Sequence, residues 1–486
     1  MKSILKIASI ITAGLLLTAG VSALDLPVKR VKGKEYYYYK VKKGESLYGI
    51  SKHLGLPLDS IVKSNPSVAD GVRKGDMLLF PLEEYTEAPA AEETLEEATE
   101  EAAIEEVRPK SSTIAIMLPF GLGKAEPDKR SHHMLDFYKG FLIAADSLRN
   151  RDGAVSIVVR DIDGMQPEEI AQMMAADTTI ANASVVIGPD DDMALNAIAD
   201  IAAQNCSYVF NVLNIRDTVY MTNPYMLQGN APQGKMFAGA VDGLMASYPG
   251  YRPVILHNSG GRNDKENFTA YLTERYKAEG VEPLIIEYKE NLLMADLEQL
   301  PCNSGEKYVF VPSSGSLQEF NRFAYVLKAF RDRLRATASK AMDTAAENGD
   351  DNVTYAVAEV FGYPDWTAFR GDALDTLHRL NATIYSRFFD DFTSFDNRNI
   401  NSAFRRWYGS QMIESIPTYG VLGFDSGTYL IKNLRANDGL YNPGQTTPFM
   451  GIQSSFDFVR TGEGFANEAI YIINYQPDGQ ISSRVQ

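Results

Sequence analysis

The sequence predicts an α/β protein: two doubly wound parallel-sheet lobes joined by a hinge, preceded by a small strand–helix–helix–strand module. Three observations lead there. From Thr113 onward, β-branched runs alternate with segments of helical period, the rhythm of parallel sheets covered by helices on both faces. That rhythm fills one domain-sized round and restarts beyond Gln233, so two lobes are expected. Ahead of it, Tyr39–Pro81 fits a strand, two short helices and a second strand into a stretch that can hold only a small core. With 486 residues, 45% of them hydrophobic, the chain has enough material for all three bodies.

At the start, Lys2 and Lys6 precede an apolar run to Leu24, and Val21-Ser22-Ala23 offers small residues where a signal peptidase reads. Residues 1–23 are therefore expected to be a secretory signal, cut after Ala23. The alternative is an uncleaved anchor, because Ile7–Leu24 carries no charge and is nearly long enough to span a bilayer. The only cysteines are Cys206 and Cys302, so no lipid-modified cysteine follows the apolar run. No later run is apolar for long enough to cross a membrane.

In the small module, Tyr39 and Val41 alternate with lysines as a strand does, and Gly44 ends it. Ser46 can cap a helix whose apolar positions are Leu47, Ile50 and Leu54. Gly55 closes that helix, and Leu58, Ile61 and Val62 carry a second one before Asn65-Pro66. Met77–Phe80 is the second strand, ended by Pro81. Tyr39, Gly44-Glu45-Ser46-Leu47, Ile50, Asn65-Pro66 and Arg73-Lys74-Gly75, in that order, make residues 36–82 resemble a LysM domain. The resemblance implies binding to the N-acetylglucosamine-containing glycan of peptidoglycan or chitin. It places the glycan between Gly44, Glu45, Ser46 and Leu47 on one side and Val72, Arg73 and Lys74 on the other. For Leu47, Ile50 and Asn65 a purely structural role in turns and core is favoured. Tyr36 to Tyr39 are expected to feed the first strand, with an exposed aromatic ledge for sugar rings as the alternative.

The formal charge of −16 is unevenly placed. Glu83 to Val107 carries eleven glutamates and no lysine or arginine, which leaves about −5 for the rest, while Gly33–Leu82, with eight basic and five acidic side chains, is +3. Residues 83–110 read as an acidic linker kept extended by self-repulsion. The +3 module suits an anionic wall, and no nucleic-acid partner is expected. Cys206 and Cys302 each precede a strand-like run in different lobes, so both are expected to be buried and unpaired.

In the large domain, 112–486, the first round comprises strands at Ile114–Leu118, Val155–Val159, Ser184–Ile187 and Tyr208–Val212. Its helices are Met134–Leu148, Pro167–Ala176 and Met193–Ala203. The second has helices from Gln233 to Tyr248, Lys265–Glu279, near Met294, and Leu317–Phe330. Its strands are Pro253–His257, Leu284–Tyr288, Lys307–Val311 and Thr354–Val360. The chain is expected to return to the first lobe near Ala382–Phe388, giving lobe 1 as about 112–230 and 382–450, and lobe 2 as about 231–381 and 451–486. Ile114–Pro119, Tyr138-Lys139-Gly140-Phe141, Val185–Pro189 and Tyr419–Gly427 together resemble the type I periplasmic binding proteins of the leucine/isoleucine/valine-receptor group. That resemblance implies a cleft that closes on a small solute.

Ligands of open α/β sheets collect at the carboxyl ends of strands. The loops there supply Phe120, Asp161, Asp163, Asp190, Asn211 and Asn214 from the first lobe. Asn258, Ser259, Arg262, Ser313, Ser314, Asp365 and Trp366 come from the second, with Trp366 able to stack on a sugar or apolar face. Asp425 is expected to be a helix cap or cleft residue. The family's amino-acid receptors have Ser or Thr where this chain has Asp190–Met193 and Asn211–Asn214, which counts against an amino-acid ligand. Catalysis is not expected. The five histidines, His53, His132, His133, His257 and His378, form no zinc motif, and neither cysteine has the setting of a nucleophile. No metal or cofactor is expected. The reading is a secreted, periplasmic, wall-associated and non-catalytic binding protein that captures a small solute. The alternative is a ligand-free scaffold or regulator of cell-wall synthesis that binds a cell-wall protein, since some lipoprotein activators of peptidoglycan synthases resemble the same fold.

Overall fold

Alternating tyrosines build the first sheet. The computed structural model describes residues 28–31, 34–42, 50, 65, 77–81, 111–149, 154–301, 305–348, 356–443 and 448–486. The chain divides into two units, Met1–Glu105 and Glu106–Gln486. In the first, β1 (Val28–Val31), β2 (Lys34–Lys40) and β3 (Met77–Pro81) form an antiparallel sheet in the order β1-β2-β3. β2 is longer than expected and β1 was not foreseen. Tyr39 pairs with Leu78 across β2 and β3, and Tyr37, Tyr39, Val41, Ile50 and Leu78 are buried together in character. Asn65 is buried as well. Its Nδ2 donates to the Leu79 carbonyl at 3.0 Å and its Oδ1 accepts the Leu79 N–H at 2.7 Å, so this asparagine closes the small fold onto β3. That supports the structural reading of Ile50 and Asn65. The expected signal, residues 43–49 and 66–76 with the glycan-binding residues, the linker and Cys302 lie outside the described residues.

The second unit contains two seven-stranded sheets. Its first round runs β4 (Ser111–Leu118), α1 (Lys129–Leu148), β5 (Ser156–Asp161), α2 (Pro167–Ala176), α3 (Thr178–Ala181), β6 (Ala183–Ile187), α4 (Asp192–Gln204), β7 (Tyr208–Asn211) and β8 (Met226–Gln228). The second runs α5 (Gln233–Ser247), β9 (Arg252–Asn258), α6 (Glu266–Ala278), β10 (Leu284–Tyr288), α7 (Met294–Leu297), β11 (Lys307–Pro312), α8 (Leu317–Asn348), β12 (Val357–Gly362), α9 (Asp372–Arg379) and β13 (Thr383–Ser386). The remainder comprises α10 (Phe395–Tyr408), α11 (Tyr419–Ala436), β14 (Phe449–Met450), β15 (Ser455–Phe456), β16 (Phe458–Thr461), β17 (Gly464–Asn467), β18 (Tyr471–Tyr475) and β19 (Ile481–Val485). Sheet order is β16-β17-β8-β7-β6-β4-β5 in one lobe and β10-β9-β11-β12-β13-β18-β19 in the other. The late strands add the antiparallel pairings, and the earlier strands are parallel. The central strands of both sheets are buried on two faces, with alternate side chains entering different cores. Ile114, Ile116 and Leu118 enter one core and Ala115 and Met117 the other. In the second lobe Tyr308 and Phe310 separate in the same way from Val309 and Val311.

Two boundaries differ from the expected ones. Thr383–Ser386 belongs to the second sheet, where Phe361 pairs with Thr383 and Ile384 with Ile473, so the chain returns to the first lobe only after Ser386. Phe458–Asn467 belongs to the first sheet, because Phe465 pairs with Leu227. The alternation of elements counts strands, whereas membership of a lobe depends on the pairing partner. Cys206 is free, as expected, but exposed rather than buried; it sits in the turn between α4 and β7 with φ 54°.

Helix α11 returns the chain to the first lobe by lying on α1 with backbone against backbone. A Cβ on Gly423 would stand 1.9 Å from the Phe137 carbonyl oxygen, and one on Gly140 would stand 1.8 Å from that of Gly420. Neither helix can yield without leaving the sheet beneath it. We expect Gly423→Ala to destabilise the chain by about 1–3 kcal/mol or more through overpacking. Gly123→Ala, with nothing within 4 Å of the added carbon, should leave stability unchanged; chemical unfolding of the full chain measures both.

Candidate functional site

Three crossings join the lobes, at residues 229–232, 387–394 and 468–470, and a cavity of about 680 Å³ opens beside the first two. The first lobe contributes Ile215–Thr218 and Tyr220, and the start of α5 contributes Pro232, Gln233, Gly234, Met236 and Phe237. Asp264, Lys265, Asn267, Phe268, Pro364, Asp365, Tyr385 and Arg387 come from the second lobe and its exit.

The loop at 212–218 is held by asparagines. Asn211 Oδ1 accepts the Asn214 N–H at 2.9 Å, and its Nδ2 donates to the Asn214 carbonyl and to Gln228 Oε1 at 3.0 and 2.7 Å. Asn214 Oδ1 in turn accepts the N–H groups of Arg216 and Asp217, while its Nδ2 donates to Asp192 at 2.5 Å. Both asparagines are buried, so they shape the loop and leave Arg216 and Asp217 to face the cavity. Burial pushes the Asp217 carboxyl up, and its Oδ2 is buried without a hydrogen-bond partner.

On the facing wall, Lys265 Nζ lies 2.8 Å from Asp365 and 3.7 Å from Asp264. Asp264 also accepts the Ser314 hydroxyl at 2.5 Å. Burial raises the Asp264 carboxyl, but Ser314 and Lys265 outweigh it and hold it below the usual value. Arg387 Nε donates to the Ala231 carbonyl at 2.8 Å, and burial draws its guanidinium below the ordinary arginine range. No carboxylate forms a salt bridge with Arg387 among the described residues, although every other lysine or aspartate of this wall is paired.

Of the residues expected in the cleft, only Asp365 lines this cavity. Phe120 is buried against Tyr138, with ring centres 5.6 Å apart. Asp161 accepts the N–H groups of Phe120 and Leu122, each at 2.8 Å, Asp163 pairs with Lys124 at 2.9 Å, and Asp190 pairs with Arg130 at 2.5 Å. These three shape the strand ends of the first lobe. Asn258 donates to Glu319 at 2.7 Å, Ser259 donates to the Tyr288 carbonyl at 3.2 Å, and Ser313 and Ser314 are buried. Arg262 is exposed, 3.6 Å from Asp264. Trp366 cannot stack on a ligand: it is fully buried, packed on Phe320 and Phe369 and over Gly362. The sequence reading missed Arg387, Asp217 and Gly234. Arg387 follows a strand assigned to the wrong lobe, so the loop it stands on was not counted among the strand ends of the cleft.

Asp425 is a loop clamp rather than a cleft residue. From α11 it accepts the N–H groups of Ile452, Gln453 and Ser454 at 2.8, 2.9 and 2.9 Å. The Gln453 side chain binds both backbone groups of Thr418, and its carbonyl accepts the Phe389 N–H at 3.1 Å on the second crossing. Asp390 accepts the Thr418 hydroxyl at 3.3 Å and the Asn397 amide.

Residues 39–81 match the LysM domain family. No curated protein sequence matches the chain. Among solved structures, an ABC transporter substrate-binding protein from Desulfitobacterium hafniense in complex with Leu is similar at 16% identity over 76% of this chain and 99% of its own, with a TM-score of 0.40. A branched-chain amino acid ABC transporter periplasmic ligand-binding protein from Burkholderia xenovorans is 13% identical over 77% and 94%, with a TM-score of 0.43. LpoA from Haemophilus influenzae is 14% identical over 78% of this chain and 59% of its own, with a TM-score of 0.45. The α/β architecture itself rests on the two seven-stranded sheets and their crossings. Among the described residues no helix is long and apolar enough to cross a membrane, and no group of three or more His, Cys, Asp or Glu side chains is placed to hold a metal ion.

Burial raises Asp425 to about 7, against the pull of its three N–H donors, and raises Asp390 to about 6. In the unfolded chain both titrate near 4. Between these limits the folded state holds protons that the unfolded state has released. Stability should therefore be greatest at low pH within this window and fall as pH rises from about 4 to about 7. Thermal melts at about pH 5 and about pH 8 should show the drop, and Asp425→Asn should flatten it.

Proposed function

We propose that the chain is a non-catalytic binding protein, held at peptidoglycan by its LysM domain, that captures a small solute between two lobes in the periplasm. The observation that carries this reading is the 680 Å³ cavity beside the crossings, lined from both lobes, with a guanidinium on one wall and a carboxylate on the other that form no salt bridge among the described residues. Closure about the crossings would exclude water from those groups and strengthen their pairing with a ligand. The glycan would lie between Gly44, Glu45, Ser46 and Leu47 and Val72, Arg73 and Lys74, on a module whose +3 charge suits an anionic wall. A signal at 1–23 would deliver the chain, and the acidic residues 83–110 would space the wall module from the large domain.

A second reading, a regulator of cell-wall synthesis that binds another protein, is favoured by a different surface. A groove of about 510 Å³ runs between Phe369, Leu374 and Tyr475 of the second lobe and Phe388, Phe392, Met412 and Ile416 of the returning chain, with Phe392 58% exposed.

Thermal-shift measurements with amino acids, wall peptides and muropeptides separate the two readings. A receptor should melt several degrees higher with one of them, and no shift with any would overturn solute capture. For the wall module, the full chain should sediment with insoluble peptidoglycan and a chain lacking the residues before Pro89 should stay in the supernatant. If the shortened chain still sediments, the LysM domain is not the anchor.

A further inference from the structure

We infer that the ligand of the interlobe cavity bears an anionic oxygen group, a carboxylate or a phosphoryl group, held by Arg387 together with the first-turn amides of α5. This rests on the solute-capture reading above and names the chemistry of that site.

Arg387 is the starting point. It stands on the second crossing, half-buried, at the edge of the cavity. Only its Nε is engaged, on the Ala231 carbonyl at 2.8 Å, and that bond fixes the direction of the planar group. Its other donors have no hydrogen-bond partner among the described residues. A guanidinium offers a fork that matches two oxygens of one carboxylate or phosphate, and a partly desolvated guanidinium gains most from such a pair.

The second cationic element is α5, which begins at Gln233 on the same cavity wall. It is 15 residues long, its N-cap is Pro232 with no side-chain cap, and its first turn contains no acidic residue. The leading N–H groups of a helix have no intrahelical acceptor and carry the positive end of its dipole. Gly234 occupies the second position of this turn, and nothing lies within 4 Å of where its Cβ would be, so a ligand can approach the backbone itself. Ala231, which receives the Arg387 bond, lies two residues before α5, so guanidinium and helix start are fastened to each other.

The remaining charges of the cavity bear on where that anionic group lies. Lys265 is already engaged by Asp264 and Asp365, so it adds no free cation. On the opposing loop Arg216 and Asp217 stand side by side, so that wall presents both signs. The anionic end of a ligand is therefore placed at Arg387, where the guanidinium stands beside the start of α5.

The test is a binding comparison on the full chain. Carboxylates (succinate, and N-acetylated peptides with a free C-terminus) and phosphates (inorganic phosphate, glycerol phosphate) are each measured against their amide or unphosphorylated counterparts by thermal shift and calorimetry. The expected result is that at least one anion binds while its neutral counterpart does not, and the series in which it falls identifies the source. Arg387→Gln should weaken that anion about ten- to a hundredfold, with Arg387→Lys in between. Because Arg387 also holds a crossing, Gly234→Ala provides an independent check. It should weaken the same anion by covering the helix start while leaving the unliganded melting temperature unchanged or higher. Equal binding of neutral counterparts, or unchanged affinity in both Arg387→Gln and Gly234→Ala, overturns the anion assignment and leaves solute capture standing. Binding by no compound of either kind overturns the anion assignment, and solute capture is then decided by the thermal-shift series with amino acids, wall peptides and muropeptides.

Discussion

One buried carboxamide fastens the junction of the two lobes. Asn467, at the end of β17, donates through Nδ2 to the carbonyls of Gly229 and Ser455 at 2.9 and 2.8 Å and accepts through Oδ1 from the N–H groups of Asp457 and Ala469 at 2.8 and 3.1 Å. Its hydrogen-bonding capacity is fully used. Gly229 opens the first crossing and Ala469 lies in the third, while Arg387 ties the second to the first through Ala231. Any rotation of the sheets would turn about this knot, because the three crossings are tied to one another. A cavity placed beside it changes shape with any such rotation, which is how a small ligand could bias a motion of whole lobes.

The second crossing carries an electrostatic cost. Arg387 and Asp390 are three residues apart on it, and the Asp390 carboxyl adds to the upward shift of Asp425, to which the Thr418–Gln453 hydrogen bonds connect it. Asp425 is buried and Asp390 half-buried, and neither forms a salt bridge among the described residues, so desolvation disfavours their charged forms. The compensation is geometric. Asp425 satisfies three consecutive N–H groups of a loop that would otherwise bury them unpaired, and Gln453 passes that order to Thr418 and Phe389. The polar network therefore specifies where the returning chain lies, a task that apolar packing alone does less well because it lacks direction.

The fold was largely legible because its periodicities are strong. Leu284–Tyr288 and Pro167–Ala176 have the bounds read from sequence, and the LysM match at 39–81 lies within the expected 36–82. What failed was long-range pairing. Thr383–Ser386 is a short β-branched run that could serve either sheet, and only its partners Phe361 and Ile473 decide. The site was poorly legible for a related reason. Polar residues at strand ends attract attention in sequence, yet Asn211 and Asn258 are consumed by their own loops and Asp161 by the neighbouring one. Trp366 looked like a stacking surface and is core, because a large aromatic beside Gly362 fills space that the glycine leaves. Arg387 had no motif to mark it; its importance lies in the partner it lacks.

The chain's charge bears on how such a site would be filled. An overall −16 would be expected to repel an anion, but eleven of those charges fall in residues 83–107. At physiological ionic strength, exposed charges are screened beyond about 8 Å. For the proposed anionic ligand, the outcome would then be set at contact distance by Arg387 and the start of α5. Such a site gains nothing from electrostatic steering, so its selectivity would reside in how slowly a well-paired ligand leaves. That favours closure of the lobes as the source of affinity, since excluding water is what makes a single guanidinium hold an anion tightly.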